Sequence, residues 1–156
     1  MLVREATKDD MESVATLHRR SILDLCKTHY SDEQLNEWTA ALHGSAYSLL
    51  MRTHEFLVAE ADSELAGFCV FDPREGLLNA TYVSPLASRH GVGRGLVAAV
   101  EAIARARGVP RIQLNATLNA VGFYERLGYA AIEMASNTLP TGVALPCVTM
   151  SKALAG

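Results

Sequence analysis

Apolar residues fall along this chain in two rhythms. Leu2–Ala6 is a short strand candidate closed by Thr7, a suitable N-cap. Met11, Val14, Leu17, Ile22 and Leu25 then recur near helical spacing, which predicts one or two helices over residues 9–26. Ser31 followed three residues later by Gln34 has the form of a capping box, and it opens a helix running through Leu42 with Leu35 and Trp38 on one side. The rhythm then shortens. Glu55–Glu60, Leu65–Phe71 and Leu77–Val83 read as three strands, the first two joined as a hairpin through Ala61–Glu64.

Helical spacing returns with Leu96, Val100 and Ile103 in a helix from about Val92 to Arg107, ended by Gly108 and Pro110. Arg111–Asn115 is a strand, and Leu118–Leu127 is a short helix stopped by Gly128. Tyr129–Met134 and Val143–Ser151 read as a closing antiparallel pair. Residues 43–54 carry no assigned element. The resulting order predicts an α/β domain with a mixed sheet of about seven strands and helices on both faces. At 156 residues, with no linker, repeat or low-complexity segment, residues 1–156 read as a single domain.

Composition narrows the function classes. Hydrophobic residues make up 49% and charged residues 20%, ordinary for a globular protein, and no apolar run reaches the length that spans a membrane. The formal charge of −3 argues against nucleic acid as partner. The N-terminus lacks a signal-peptide pattern, so a cytoplasmic location is expected and the Asn-x-Thr triplets at Asn79 and Asn115 carry no weight. Cys26, Cys69 and Cys147 match neither a zinc spacing nor a disulfide framework; buried thiols and no metal are expected.

The candidate chemistry lies between Ser84 and Gly95, where Arg89, His90, Gly91, Val92, Gly93, Arg94 and Gly95 lead straight into a helix. Glycines at a helix start let bare backbone N–H groups converge on an anion, and the same glycines suit a tight turn with no ligand. Gly93–Ala98 also fits the dinucleotide pattern G-x-G-x-x-A, but the following strand, Arg111–Asn115, ends without the acidic residue that pattern needs. The Gly-Lys-Ser/Thr of nucleotide hydrolases is absent.

Tyr82-Val83-Ser84-Pro85 precedes the turn, and Asn119-Ala-Val-Gly-Phe-Tyr124-Glu-Arg-Leu-Gly-Tyr129 follows it by about 30 residues. Together these segments strongly resemble the GNAT superfamily of acyl-CoA-dependent N-acetyltransferases, over Glu55–Met134 by motif and over the N-terminal third by element order. The resemblance implies a mostly antiparallel twisted sheet with a splayed central strand pair. It implies acetyl-CoA as co-substrate, its pyrophosphate on the turn Arg89–Gly93 with Arg94 adjoining. It further implies pantetheine along Tyr82 and Val83, an Asn119 contact to that arm, and Tyr124 near the sulfur as catalytic proton donor. An amine would attack the thioester directly through a tetrahedral intermediate.

Two positions depart from the family pattern. Ser88 stands where Gln or Arg opens the turn, with Arg89 one step late, and Asn79 stands where many members carry a Glu base. The proton acceptor is thereby left open among His18, His29, Glu60 and water. His29 and Tyr30, in the connection between the first helices, are the candidate acceptor-site residues. The acceptor is a small-molecule or peptide amine; Asp32, Glu33 and Glu37 read either as a hint of a cationic one or as solvated surface. Dimers are common among proteins of this kind, so a homodimer is an open expectation. The alternative function, suggested by Asn79, is a non-catalytic acyl-CoA-binding or sensing module.

Overall fold

The computed structural model describes residues 1–155. Strands β1 (Leu2–Glu5), β2 (Glu55–Ala61), β3 (Glu64–Asp72), β4 (Leu77–Val83), β5 (Arg111–Thr117), β6 (Ala130–Thr138) and β7 (Ala144–Ala153) form one sheet in the order β1-β2-β3-β4-β5-β7-β6. Every neighbouring pair is antiparallel except β4 and β5. Those two run parallel and meet only at Leu77↔Gln113 and Leu78↔Leu114. Beyond Leu78 the strands part.

A local cause is visible in the register. Val70 faces Ala80 and Phe71 faces Leu78, so Asn79 is the extra residue of a bulge in β4. A bulge bends its strand and increases its twist. Here it lies at the first position past the last β4–β5 rung, and from it onward β4 follows β3 alone.

Helix α1 (Met11–Leu25) is a single helix, entered through a 3-10 turn at Lys8–Asp10 in which the Thr7 N–H donates to Asp10 Oδ2 over 2.7 Å. Helix α2 (Asp32–Ala40) begins with the capping box read in the sequence: Gln34 N–H donates to Ser31 Oγ, and Ser31 N–H to Gln34 Oε1. It ends two residues before Leu42. A further helix, α3 (Gly44–Thr53), occupies the stretch left unassigned; its N-cap His43 makes no side-chain cap bond, and glycine opens it, so neither usual start signal is present. Helix α4 (Val92–Ala106) follows β4, and α5 (Val121–Arg126) follows β5. Residues 118–120 form a 3-10 turn, so α5 proper is shorter than the predicted helix.

The core is divided by the sheet. On one face α4 inserts Leu96, Val97, Val100 and Ala104 against Cys69, Phe71, Ile112, Leu114 and Met150, all nearly inaccessible. On the other, α1 and α3 set Val14, Leu17 and Tyr47 against Phe56, Val58, Phe68 and Val70. A third cluster joins Ile22 and Cys26 of α1 to Tyr30, Leu35, Trp38, Leu139 and Leu145. All three cysteines are buried and unpaired. Among the described residues no helix is long and apolar enough to cross a membrane.

Candidate active site

The parting of β4 and β5 opens a cavity of about 540 Å3. Its floor is Leu78–Val83 of β4 on one side and Asn115 and Thr117 of β5 on the other. Because β4 has no partner there on its β5 side, the strand edge facing the gap presents backbone N–H and C=O groups outside the ladder. Tyr82 and Val83, expected along the co-substrate arm, lie on this floor.

The glycine turn closes one end. The backbone adopts left-handed φ at Arg89 (+68°) and at Gly91 (+81°), a conformation that strains a non-glycine residue and recurs at ligand clamps. Gly91 is the N-cap of α4, makes no side-chain cap bond, and is followed by no acid in the first turn. The positive end of a 15-residue helix therefore opens on the cavity with its first amides uncapped by side chains. Arg89, Gly91, Val92, Gly93 and Arg94 all line the wall, as does Ser88. His90 is exposed and is not part of that wall. Gly93 has a packing reason of its own: an added Cβ would stand 3.0 Å from Phe123 Cζ, so its bareness seats α5 against the start of α4.

Asn119 and Tyr124 come from the far side of the gap. Tyr124 is 6% exposed, and burial pushes its phenol up to about 12. Asn119 Oδ1 and Thr81 Oγ1 are both buried without a hydrogen-bond partner, and both residues line the cavity. Unsatisfied buried polar atoms are costly, and two of them beside an open strand edge fit a ligand with polar groups along its length. Cys26 lies on the same wall; burial raises its thiol to about 12 against the opposing pull of the Asn119 amide, so it stays protonated.

The candidates near the acceptor side separate sharply. His29 is exposed on the cavity wall, its Nδ1 2.8 Å from Thr28 Oγ1. Its neighbour Tyr30 is buried and off the wall. The Tyr30 hydroxyl donates to the Pro146 carbonyl and accepts from Leu118 N–H at 3.1 Å, and the ring packs edge-on to Trp38 at 5.4 Å. Tyr30 and Trp38 thus tie the α1–α2 connection to β7 and to the 3-10 turn before α5. Glu60 sits at the β1–β2 edge, held at 2.5 Å by Arg4, which also clasps Asp10. His18 is enclosed between Tyr47, whose hydroxyl lies 2.8 Å from Nδ1, and the Tyr82 ring at 4.2 Å. Burial first, and then Arg19, depress it to about 4, so the imidazole is neutral and faces aromatic rings rather than the cavity.

Ser21, Thr81 and Thr117 line the site although no sequence motif points to them, and Cys26, expected only as a buried thiol, lines it too. Only Ser21 carried a signal: it is three residues past His18 on α1, on a face otherwise filled by apolar residues.

A seven-stranded, mostly antiparallel sheet split at one parallel pair, with a glycine-capped helix at the split, defines the GCN5-related acetyltransferase fold. The crystal structure of a GCN5-related N-acetyltransferase from Rhodopseudomonas palustris superposes with a TM-score of 0.92 at 28% identity, covering 98% of this chain and 95% of that one. PaiA N-acetyltransferase from Thermoplasma acidophilum, solved with coenzyme A, matches at TM-score 0.77 and 20% identity over 97% and 98% of the two chains. An aminoglycoside 6'-N-acetyltransferase complexed with coenzyme A matches at 0.71 and 19% over 100% and 98%. The family model "Acetyltransferase (GNAT) domain" matches residues 26–154, and the chain belongs to that acetyltransferase family.

Proposed function

We propose that this protein is an N-acetyltransferase that moves the acetyl group of acetyl-CoA directly to a primary amine, acting as a single domain over residues 1–156. The observation that carries the reading is the cleft itself. It joins an uncapped helix N-terminus, an unpaired strand edge and two unsatisfied buried polar atoms in one continuous wall. These are the surfaces an extended pyrophosphate–pantetheine thioester requires. The turn Arg89–Gly93 with Arg94 takes the pyrophosphate through backbone N–H groups and guanidinium charge. The β4 edge at Tyr82 and Val83 takes the pantetheine amides, with the Asn119 side chain bonding the same arm. An edge N–H of β4 polarises the thioester carbonyl.

In the transfer the neutral amine nitrogen forms a bond to the carbonyl carbon, and the oxyanion collapses to break the C–S bond. The sulfur leaves with the electron pair. Burial holds the Tyr124 phenol up at about 12. Tyr124 therefore stays protonated through the working range and serves as a hydrogen-bond donor to the departing sulfur. The amine's surplus proton leaves toward the cavity mouth, where His29 or water takes it. Cys26, held as a thiol, favours direct transfer over an acyl-cysteine intermediate.

Tyr124→Phe tests the role of the hydroxyl. It should lower kcat by roughly 10- to 100-fold while leaving acetyl-CoA affinity within about twofold, read by thiol release and by calorimetry. Unchanged turnover would remove Tyr124 from the reaction. A non-catalytic acyl-CoA sensor would instead bind acetyl-CoA and release no thiol with any amine.

A further inference from the structure

Tyr124 stands on a helix of only six residues. That length is too short for a helix to be held by its own hydrogen bonds, so what fixes α5 comes from outside it. Gly128, with a φ of +95°, turns the chain past α5 so that the Tyr129 N–H donates back to the Tyr124 carbonyl over 3.0 Å. The Tyr129 ring then packs edge-on to the Tyr124 ring, with centroids 5.8 Å apart.

Tyr129 is itself anchored. Its hydroxyl donates to Glu101 Oε2 on α4 at 3.1 Å. Glu101 is 7% exposed and is also met by Lys152 of β7, whose ammonium bonds both carboxylate oxygens, at 3.0 and 3.2 Å. The same ammonium donates to the Leu127 carbonyl just past α5 over 2.8 Å and lies 5.6 Å from the Tyr129 ring centre. Gly128 leaves room for that side chain, since an added Cβ would stand 3.3 Å from Lys152 Cε. Arg105 adds a looser contact to Glu101 at 3.6 Å. One carboxylate thus joins α4, the turn after α5, and β7. Glu101, Tyr129 and Lys152 all lie off the cleft wall.

A buried ion pair contributes little net stability next to apolar packing of the same volume, whereas its directional bonds fix geometry. Geometry is what a donor to a departing sulfur needs, because a misplacement of about 1 Å can cost roughly 100-fold in rate. We infer that Glu101, Lys152 and Tyr129 are positioning residues for Tyr124: through the Tyr129 ring and the end of α5 they hold its hydroxyl where it reaches the coenzyme sulfur. The inference rests on the acetyltransferase reading above and on the part of Tyr124 in it.

The test is a cycle of Tyr129→Phe, Tyr124→Phe and the double variant in the intact protein, each step removing one oxygen and keeping the ring. Thiol release from acetyl-CoA is read with glycinamide, lysine, spermidine and kanamycin, the fastest of them serving throughout. Calorimetry follows acetyl-CoA binding, and hydrogen exchange follows the amides of Leu127, Gly128 and Tyr129. Tyr129→Phe should lower kcat about 3- to 10-fold with acetyl-CoA affinity within about twofold, and raise exchange at those amides about tenfold. In the Tyr124→Phe background the same change should move kcat by less than about twofold. An equal loss of kcat in both backgrounds would reduce the cluster to general support of the fold and overturn the inference, as would an unchanged kcat in Tyr129→Phe alone. Exchange rates that Tyr129→Phe leaves unaltered would overturn it independently of turnover. No thiol release from the wild type with any of the four amines would instead overturn the acetyltransferase reading.

Discussion

Gly91 and Gly93 stand two positions apart in one turn and fail differently on substitution. At Gly91 an added Cβ meets nothing within 4 Å, but the φ of +81° strains any L-residue. At Gly93 the φ is ordinary and the obstacle is the Phe123 ring, 3.0 Å away. Gly91→Ala should therefore cost about 1–2 kcal/mol from the backbone alone. Gly93→Ala should cost about 1–3 kcal/mol through displacement of Phe123. Because Phe123 lines the cavity, Gly93→Ala should also weaken acetyl-CoA binding more than Gly91→Ala does. Urea unfolding and calorimetric titration separate the two effects; equal affinities for both variants would deny Phe123 a part in shaping the site. At this scale the sequence was informative where chemistry dictates residue type. Gly91 and Gly93, and Asn119 and Tyr124 far from them along the chain, all reach the wall of one cleft. It was silent where a partner distant in sequence decides, as for Tyr30, whose hydroxyl is claimed by Pro146, 116 residues away.

Among the elements, α4 was the most legible because one stripe of it does all the packing. Leu96, Val97, Val100 and Ala104 are at most 1% exposed, and Arg94, Arg105 and Arg107 fall outside the stripe. Leu96→Ala should destabilise the fold by about 2–5 kcal/mol, with an unchanged denaturant slope, in urea titrations. A loss under 1 kcal/mol would mean the α4–sheet seam closes around the gap. Helix α3 was illegible for the converse reason: Gly44 opens it, nothing caps it, and only Tyr47 along it is fully buried. Strand β6 extends four residues past Met134 because Ser136–Thr138 pair with Ala144–Pro146 of β7, a contact set by the partner strand rather than by hydrophobic alternation. The bulge at Asn79 was equally invisible, since alternation in β4 looks regular until its partner strand is known.

For the molecule as a whole, one buried imidazole links the fold to pH. His18 is held near 4 by burial and is near 6.5 when the chain unfolds. The unfolded chain thus binds the proton more readily, so His18 favours the fold fully above about pH 6.5, and that contribution fades as the pH falls toward 4. Up to about 3 kcal/mol is lost across that window. His18 packs against Tyr47, Phe68 and Tyr82, with Arg19 as its charged neighbour, so no carboxylate offsets the cost. Urea midpoints measured from about pH 7 to 4 should fall steeply in the wild type and less steeply in His18→Phe. Parallel slopes would refute the assignment. The overall architecture was readable from the order of elements, because a hairpin, a third strand and two helix–strand returns admit few arrangements. The identity of the proton acceptor was not, because it depends on which side chains reach the gap.

The two rungs at Leu77 and Leu78 have a mechanical meaning. They are the sole ladder between a four-stranded leaf, β1 to β4, and a three-stranded leaf, β5, β7 and β6. Beside it the Gln113 N–H donates to the Gly76 carbonyl over 2.9 Å, and helix packing and the Tyr30 tether add to the coupling. The sheet is a book with a short spine, and whatever lies between its leaves stiffens the whole binding. Capture of a long thioester in that gap would couple the two leaves along their open length, so that loading the donor and setting the rigidity of the acceptor wall become a single event.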